Sequence, residues 1–125
     1  MADDRRAQRV AEGIREEVAT FLNEGARDPR ITAMVTVTAV EVSRDLKQAK
    51  IFVSLLGSDA DRAATLEALA GTTSHLRGRV GRALRLRVAP ELSFRLDESV
   101  ARAARIETLL AQVRENKTDD GERHG

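Results

Sequence analysis

Residues 34–56, MVTVTAVEVSRDLKQAKIFVSLL, predict the β-hairpin on which the whole fold depends. The first half, VTVTAVEV, contains four valines and two threonines, and these β-branched residues favour extended strands. The polar stretch 43–47 indicates a turn, because Ser and Asp side chains can bond nearby backbone amides. In the second half, Lys50 and Ser54 lie on one face, and the opposite face is apolar: Ala49, Ile51, Val53 and Leu55. The hairpin therefore has one buried face.

An amphipathic helix is predicted upstream of the hairpin, over residues 5–24. Its apolar side chains recur at three- and four-residue steps and form one stripe: Ala7, Val10, Ile14, Val18, Phe21 and Leu22. Gly25 indicates the end of this helix. The pair Asp28-Pro29 then predicts extended or turning backbone, because proline disfavours helix in the residue before it.

The helical stretch downstream of the hairpin is predicted to bend in its middle. Ser58 with Asp61 is similar to the capping box that starts many helices. Helical spacing then continues over six positions: Leu66, Leu69, Thr73, Leu76, Val80 and Leu84. The run Gly71-Thr72-Thr73-Ser74 interrupts this stripe with poor helix formers. We therefore predict two helices with a bend between Ala70 and His75.

A third strand and a last helix complete the predicted domain. Leu92, Phe94 and Leu96 alternate with polar residues after Pro90, which predicts the strand. Asp97 or Ser99 then caps a helix whose apolar residues are expected inside: Val100, Ala103, Ile106, Leu109, Leu110 and Val113. The order of elements predicts a two-layer α+β fold, with a three-stranded sheet covered by helices. We expect one domain over residues 1–115 and a disordered polar tail over residues 116–125.

Composition excludes several classes of function. The chain has no cysteine, so it has no disulfide, thiolate metal site or thiol nucleophile. No apolar stretch is long enough to cross a bilayer or to act as a signal peptide, and we expect a cytoplasmic protein without a membrane partner. It has only two histidines: His124 lies in the tail, and His75 has no acidic residue among its close sequence neighbours. We predict no catalytic residue, no metal site and no cofactor, and hence no enzyme.

Positive charge is concentrated in one segment, although the formal net charge is only +1. No acid occurs between Glu67 and Glu91, and five arginines lie in that interval: Arg77, Arg79, Arg82, Arg85 and Arg87. On a helix, the apolar residues of this segment fall in one sector that faces the core: Leu76, Val80, Ala83 and Leu84. The arginines spread over the remaining arc. Such a surface is typical of proteins that contact a polyanion, and RNA is the favoured one.

Two glycines, Gly78 and Gly81, lie on the same outer arc. Glycine destabilises a helix by ~1 kcal/mol relative to alanine, so their presence favours close approach by a phosphate backbone. The alternative is a solvated face whose arginines pair with acids elsewhere in the fold. Gly78-Arg79-Val80-Gly81 also matches the GxxG pattern of KH domains, but Val80 belongs to the apolar stripe, so we do not interpret the segment as a KH loop.

Several short motifs, in order, resemble bacterial ribosome-binding factor A from the first helix to the third strand. They are Gln8-Arg9-Val10-Ala11, Asp28-Pro29-Arg30, Val40-Glu41-Val42-Ser43-Arg44-Asp45-Leu46, and Arg85-Leu86-Arg87 followed by Pro90-Glu91-Leu92-Ser93-Phe94. The resemblance implies a KH-like fold of the second type, with a kinked helix pair in place of the GxxG loop. It further implies a ribosome biogenesis factor that binds the free 30S subunit and 16S rRNA during late maturation and rRNA processing, especially under cold shock. The family kink reads Ala-x-Gly, whereas this chain has Ala70-Gly71 followed by Thr72-Thr73-Ser74.

Two hypotheses of function follow. The first is an RNA-binding assembly factor, expected to be a monomer, whose contacts are the arginines and glycines of residues 77–87. The second is a small protein-interaction domain whose basic surface meets an acidic partner. The sequence has no Trp or Tyr and only three phenylalanines, so we expect no exposed aromatic platform for stacking bases, and recognition of RNA by its backbone and shape. Arg5, Arg6 and Arg9 are further candidates, because they either extend the basic surface or offset Asp3 and Asp4.

Overall fold

A computed structural model describes the backbone of residues 2–24 and 29–124, and the side chains of residues 4–24, 29–99 and 102–116. Its elements, in chain order, are α1 (Ala2–Asn23), β1 (Met34–Val42), β2 (Gln48–Leu56), α2 (Asp59–Gly71), α3 (Thr73–Ala83), β3 (Glu91–Leu96) and α4 (Ser99–His124). The predicted order of elements is confirmed. Gly25, the predicted end of the first helix, and Asp28, where extended or turning backbone is predicted, lie outside the described residues. The side chain of Val100, which is predicted to be buried, lies outside them as well.

The sheet has the strand order β1-β2-β3, with β2 in the centre. β1 pairs with β2 in antiparallel register, and β3 pairs with β2 in parallel register. A bulge between Val37 and Ala39 shifts the β1 register by one residue. Because side chains alternate across a strand, this shift lets Val40 and Val42 face the same side as Val37. The predicted α+β fold with a three-stranded sheet is confirmed.

The core lies between the inner face of the sheet and the first three helices. The four apolar residues predicted on one face of the second strand are all buried: Ala49, Ile51, Val53 and Leu55. The helices contribute Ile14, Val18, Leu69, Leu76 and Val80, each fully buried. Full burial of one such side chain stabilises the fold by ~1.5–3 kcal/mol. The predicted apolar stripes of α1, α2 and α3 are therefore the faces that close the core.

The predicted bend between the two central helices is confirmed, and it falls at Thr72. The Thr72 hydroxyl donates to the Leu69 carbonyl at 2.7 Å, and the Thr73 hydroxyl donates to the Ala70 carbonyl at 3.0 Å. Hydroxyl groups that bond back to the preceding turn compete with the regular helical ladder. The capping box is also confirmed, since the Asp61 N–H donates to the Ser58 hydroxyl and the Ser58 N–H donates to the Asp61 carboxylate.

Ala83 does not face the core as predicted. It is exposed, because α3 ends there and the backbone turns away at Leu84. Leu84 instead packs against α1, where it occupies the space that a side chain at Gly13 would need. The prediction for Leu84 is therefore confirmed in part, and the prediction for Ala83 is wrong.

The predicted burial of the apolar residues of α4 is also wrong. Those on its stripe are about half exposed, at 51% for Ile106, 60% for Leu109, 49% for Leu110 and 54% for Val113, and Ala103 is exposed as well. The apolar spacing predicts a helix but does not specify which element packs against it. Here α1, α2 and α3 already cover the inner face of the sheet. The helix continues to His124. The domain over residues 1–115 and the disordered tail over residues 116–125 stay predictions.

A hydrogen-bonded carboxylate joins the sheet to the start of α4. Asp97 follows β3, and its carboxylate accepts the Ser99 N–H at 2.9 Å and the Thr38 hydroxyl at 2.6 Å. These bonds favour the charged form, those from Ser99 most, and they lower the pKa of Asp97 to about 2. Asp97, one of the two residues predicted to cap this helix, therefore binds the first backbone N–H of α4.

Candidate nucleic-acid interface

The outer face of α3 is set by the burial of its inner face. Leu76 and Val80 are fully buried, so the opposite side of the helix faces outward. An open depression of about 530 Å³ lies along this outer face. Its lining comes from α3 and from the segment that follows it: Ser74, Arg77, Gly78, Gly81, Arg82, Leu86, Arg87 and Ala89.

A tight turn at the end of α3 brings the second wall of the depression into place. Arg85 adopts a left-handed backbone conformation with φ of 53°. The Leu86 N–H donates to the Gly81 carbonyl at 3.0 Å, and the Arg85 N–H donates to the Arg82 carbonyl at 3.3 Å. This pair of bonds is the Schellman motif, in which glycine is usual at the left-handed position. The turn reverses the chain, so residues 86–89 return beside α3.

Arg77 is held in place by the returning segment. Its Nε and Nη2 groups both donate to the Ala89 carbonyl at 3.1 Å. A guanidinium has five N–H donors, so the group keeps donors for a ligand while its position is fixed. Arg82 and Arg87 are exposed, and within the described part of the chain neither has an ion pair or a side-chain hydrogen bond.

The two glycines of α3 lie close to other residues of the protein. A Cβ atom at Gly78 would lie 3.3 Å from Nη1 of Arg82, so the Arg82 side chain lies over this glycine. A Cβ atom at Gly81 would lie 3.4 Å from the Cβ of Ala89, which is ordinary van der Waals contact. Both glycines thus line the depression, and direct phosphate approach to them stays a prediction. Residues 78–81 are helical, which agrees with the interpretation that they do not form a KH loop.

Arg79 does not point into the depression. Its Nε group donates to Glu17 at 2.9 Å, and its two Nη groups donate to Glu24 at 3.1 and 3.2 Å. The hydrogen bonds lower the pKa of Glu24 and raise the pKa of Arg79. Only 23% of the Arg79 side chain is exposed. The predicted outward orientation of Arg79 is therefore wrong, and this arginine anchors α3 to α1.

The basic surface continues from Arg87 towards α1. A second depression, of about 330 Å³, is lined by Arg6, Asp45, Leu46, Lys47, Leu86, Arg87 and Val88. Arg87 is common to both depressions. The Asp45 carboxylate accepts the Ser43 hydroxyl and the Lys47 N–H, and these bonds lower its pKa, so one negative charge lies at this edge. We call Arg6, Lys47, Arg77, Arg82 and Arg87 the basic surface.

The structure does not bring together all of the candidate residues. Arg5 and Arg9 are exposed on α1 but line neither depression, and Arg85 lies exposed in the turn. Lys47 was not predicted, because a single lysine in a hairpin turn gives no signal until the returning segment places Arg87 beside it. His75 is exposed and its ring lies 5.5 Å from that of Phe21, which is a packing contact.

The described residues contain no group of three or more His, Cys, Asp or Glu side chains that could hold a metal ion. No helix among the described residues has the length and apolar character needed to cross a membrane.

Comparison with known proteins gives a consistent result. The family model described as Ribosome-binding factor A matches residues 6–110. Ribosome-binding factor A of Gemmatimonas aurantiaca is 64% identical over 117 residues, which cover 94% of this chain and 80% of that protein. A Thermotoga maritima protein solved by NMR in solution is 33% identical with a TM-score of 0.65, covering 75% of this chain and 89% of that one.

A further match concerns a protein in complex with the ribosome. The coordinates of a homology model of Thermus thermophilus ribosome-binding factor A, fitted into a cryo-electron microscopy map of a 30S complex of that protein, are 24% identical with a TM-score of 0.55. They cover 74% of this chain and 92% of that one. These neighbours have a KH-like fold, so the predicted KH-like class is confirmed.

Proposed function

The chain belongs to the ribosome-binding factor A family, and from this premise we propose that it binds the free 30S subunit through its basic surface. The observation that carries the proposal is the pair Arg82 and Arg87, exposed on either side of one depression without an acidic partner in the described chain. Two unpaired guanidinium groups across a groove match the spaced negative charges of an RNA backbone.

The contact that we propose is to phosphates and not to base edges. The depression is lined by arginines, by glycines and by small or aliphatic side chains, and it contains no aromatic ring on which a base could stack. Arginine presents a planar fork that can bind phosphate oxygens in pairs. Such contacts recognise the shape of a folded 16S rRNA segment and carry little sequence information.

Binding alone is sufficient for a role in assembly. A protein that binds a maturing 30S conformation more tightly than its alternatives shifts the population towards that conformation, by an amount set by the difference in affinity. We propose that this chain acts in that way during late maturation and rRNA processing, as a monomer in the cytoplasm and without chemistry of its own. Cold makes the effect more important, since misfolded RNA helices persist longer at low temperature.

Fractionation of a cell extract on a sucrose gradient tests the proposal. We expect the protein in the 30S peak, with little in the 50S and 70S peaks, and we expect rising salt to release it. A protein that remains at the top of the gradient at low salt would contradict the proposal. Co-migration with an acidic protein outside the ribosomal peaks would favour the alternative, a protein-interaction domain.

We also propose that residues 1–115 form a complete RNA-binding domain. Removing residues 116–125 is expected to lower the Tm by less than ~5 °C, which corresponds to about 1 kcal/mol for a domain of this size. The physical reason is that the described side chains just before this segment, including Leu110 and Val113, are exposed and bury little against the domain. Thermal unfolding followed by circular dichroism measures the difference, and a larger loss would show that the removed segment packs.

A further inference from the structure

The outer face of the sheet, opposite the helices, carries one aromatic side chain. Phe21 and Phe94 both pack against the buried core, whereas Phe52 does not belong to it. Phe52 lies in the middle of the central strand, between Ile51 and Val53, which face inward and are fully buried. Because side chains alternate across a strand, the Phe52 ring lies on the outer face. There it is partly exposed.

The neighbour of Phe52 in β1 is small, and its neighbour in β3 is positively charged. In β1 its register partner is Ala39, whose methyl group covers little of an aromatic ring. In β3 its register partner is Arg95, which is exposed. β2 and β3 are parallel, and neighbouring strands lie ~4.7–4.9 Å apart, so Phe52 and Arg95 are direct neighbours on the outer face.

The same face of the central strand carries a second cation. Lys50 precedes Phe52 by two residues and is exposed. Within the described part of the chain, neither Lys50 nor Arg95 has an ion pair or a side-chain hydrogen bond. A shallow depression of about 230 Å³ lies between them, lined also by Ser93 and Glu91.

The acids on this face lie away from the aromatic row. Glu41 is the β1 partner of Lys50, one row below Phe52, and Glu91 pairs with Gln48 at the end of β3. The row that contains Phe52 has no acid. The described helices do not pack on this face, because α1, α2 and α3 lie on the inner side and α4 has few contacts with any strand.

We propose that the outer face of the sheet is a second RNA contact, where one unpaired base of single-stranded RNA stacks on Phe52 and the flanking phosphates bind Arg95 and Lys50. The inference rests on the proposed rRNA partner, because it adds a contact to that interaction. An aromatic ring beside two unpaired cations fits a nucleotide, which combines a flat base with a negative phosphate. An apolar peptide fits less well, because the central rows of this face offer no second large apolar side chain beside the ring.

The affinity for a fluorescent ten-nucleotide uridine RNA tests the inference. Phe52→Leu keeps an apolar side chain of similar size and removes the aromatic face. We expect it to weaken binding about tenfold, within the range measured for the loss of one stacked base. Arg95→Gln is expected to weaken binding by a similar factor and to make the dependence on salt less steep. Ser54→Ala, two residues further along the same face, is the matched control and should bind like the unmodified chain.

The outcomes separate this inference from the proposed function. If the unmodified chain does not bind the RNA, or if Phe52→Leu and Arg95→Gln bind it unchanged, the outer face is not an RNA contact. This holds whether or not the protein migrates with 30S particles. If both variants lose affinity and circular dichroism shows that they remain folded, the result supports the RNA contact on the outer face. Binding of the oligonucleotide by a chain that is absent from the 30S peak would overturn only the proposed 30S function.

Discussion

Replacing Arg82 and Arg87 together with glutamate is expected to weaken binding to purified 30S particles by at least about 100-fold. Each arginine that binds a phosphate makes a charge-assisted contact worth ~1.5–3 kcal/mol, and two such losses multiply to roughly that factor or more. Glutamate adds repulsion of the RNA backbone. Both side chains are exposed and have no partner in the described chain, so the fold should survive.

The matched control changes the same charges elsewhere. Arg102 and Arg105 lie exposed on α4, outside both depressions, and their joint replacement with glutamate alters the net charge by the same amount. Binding would be measured by co-sedimentation at two salt concentrations, with circular dichroism to check folding. The Arg82 and Arg87 variant should lose binding, whereas the control should lose little. Equal losses would mean that only net charge matters, and unchanged binding by both variants would place the 30S contact on another surface.

Arg79 is left out of this variant for a structural reason. It lies on the same helix as Arg82, and the sequence gives no sign that the two differ. The structure separates them, because Glu17 and Glu24 of the first helix meet Arg79 and bind all three nitrogen groups of its side chain. A glutamate at position 79 would therefore face two carboxylates. Loss of function in such a variant would report on packing and not on RNA.

The fold was predictable wherever a local pattern is enough. The alternating residues of the second strand, the capping box at Ser58 and the interruption at Thr72 each depend on neighbours in sequence, and each is confirmed. The α4 helix shows the limit of such patterns. Its apolar stripe predicts a helix, but burial of Leu110 depends on whether another element lies against it, and the first three helices already cover the sheet.

The candidate site was predictable in its residue types and less so in its geometry. The acid-free interval that contains Arg77, Arg82 and Arg87 is visible in the sequence. The three arginines line one depression because the Schellman turn reverses the chain after α3. That turn is not evident in the sequence, because its left-handed position is occupied by Arg85, where glycine is the usual signal. Alternation along β2 places Phe52 on the outer face, but its neighbour Arg95 comes from strand pairing, which local patterns do not specify. Lys47 lies beside Arg87 only because the segment after α3 returns to the hairpin turn.

Thr65→Val is expected to destabilise the domain more than any single surface substitution. Thr65 is the one buried polar side chain among the described residues. Its hydroxyl oxygen accepts the Ala33 N–H at 3.0 Å and the Thr32 N–H at 3.2 Å, and the hydroxyl lies 3.5 Å from the Arg30 carbonyl oxygen as donor. One side chain on α2 thus satisfies the backbone of the segment that leads into β1.

Valine has nearly the shape of threonine but cannot accept a hydrogen bond. The Ala33 N–H would then be buried without a partner, at a cost of ~1–3 kcal/mol, and the Thr32 N–H would lose its bond at a more accessible place. We expect a total loss of ~2–3 kcal/mol, which lowers the Tm by roughly 10 °C in a domain of this size.

Urea denaturation would measure the free energy of unfolding for Thr65→Val and two companion variants. Thr65→Ser keeps the hydroxyl and removes a methyl group, so it should lose about 1 kcal/mol, clearly less than Thr65→Val. Thr20→Val removes an exposed hydroxyl that donates to the Glu16 carbonyl at 2.8 Å, and its stability should stay within ~0.5 kcal/mol of the unmodified chain. If Thr65→Ser loses as much stability as Thr65→Val, the methyl contact and not the hydrogen bonds holds the segment before β1 against α2.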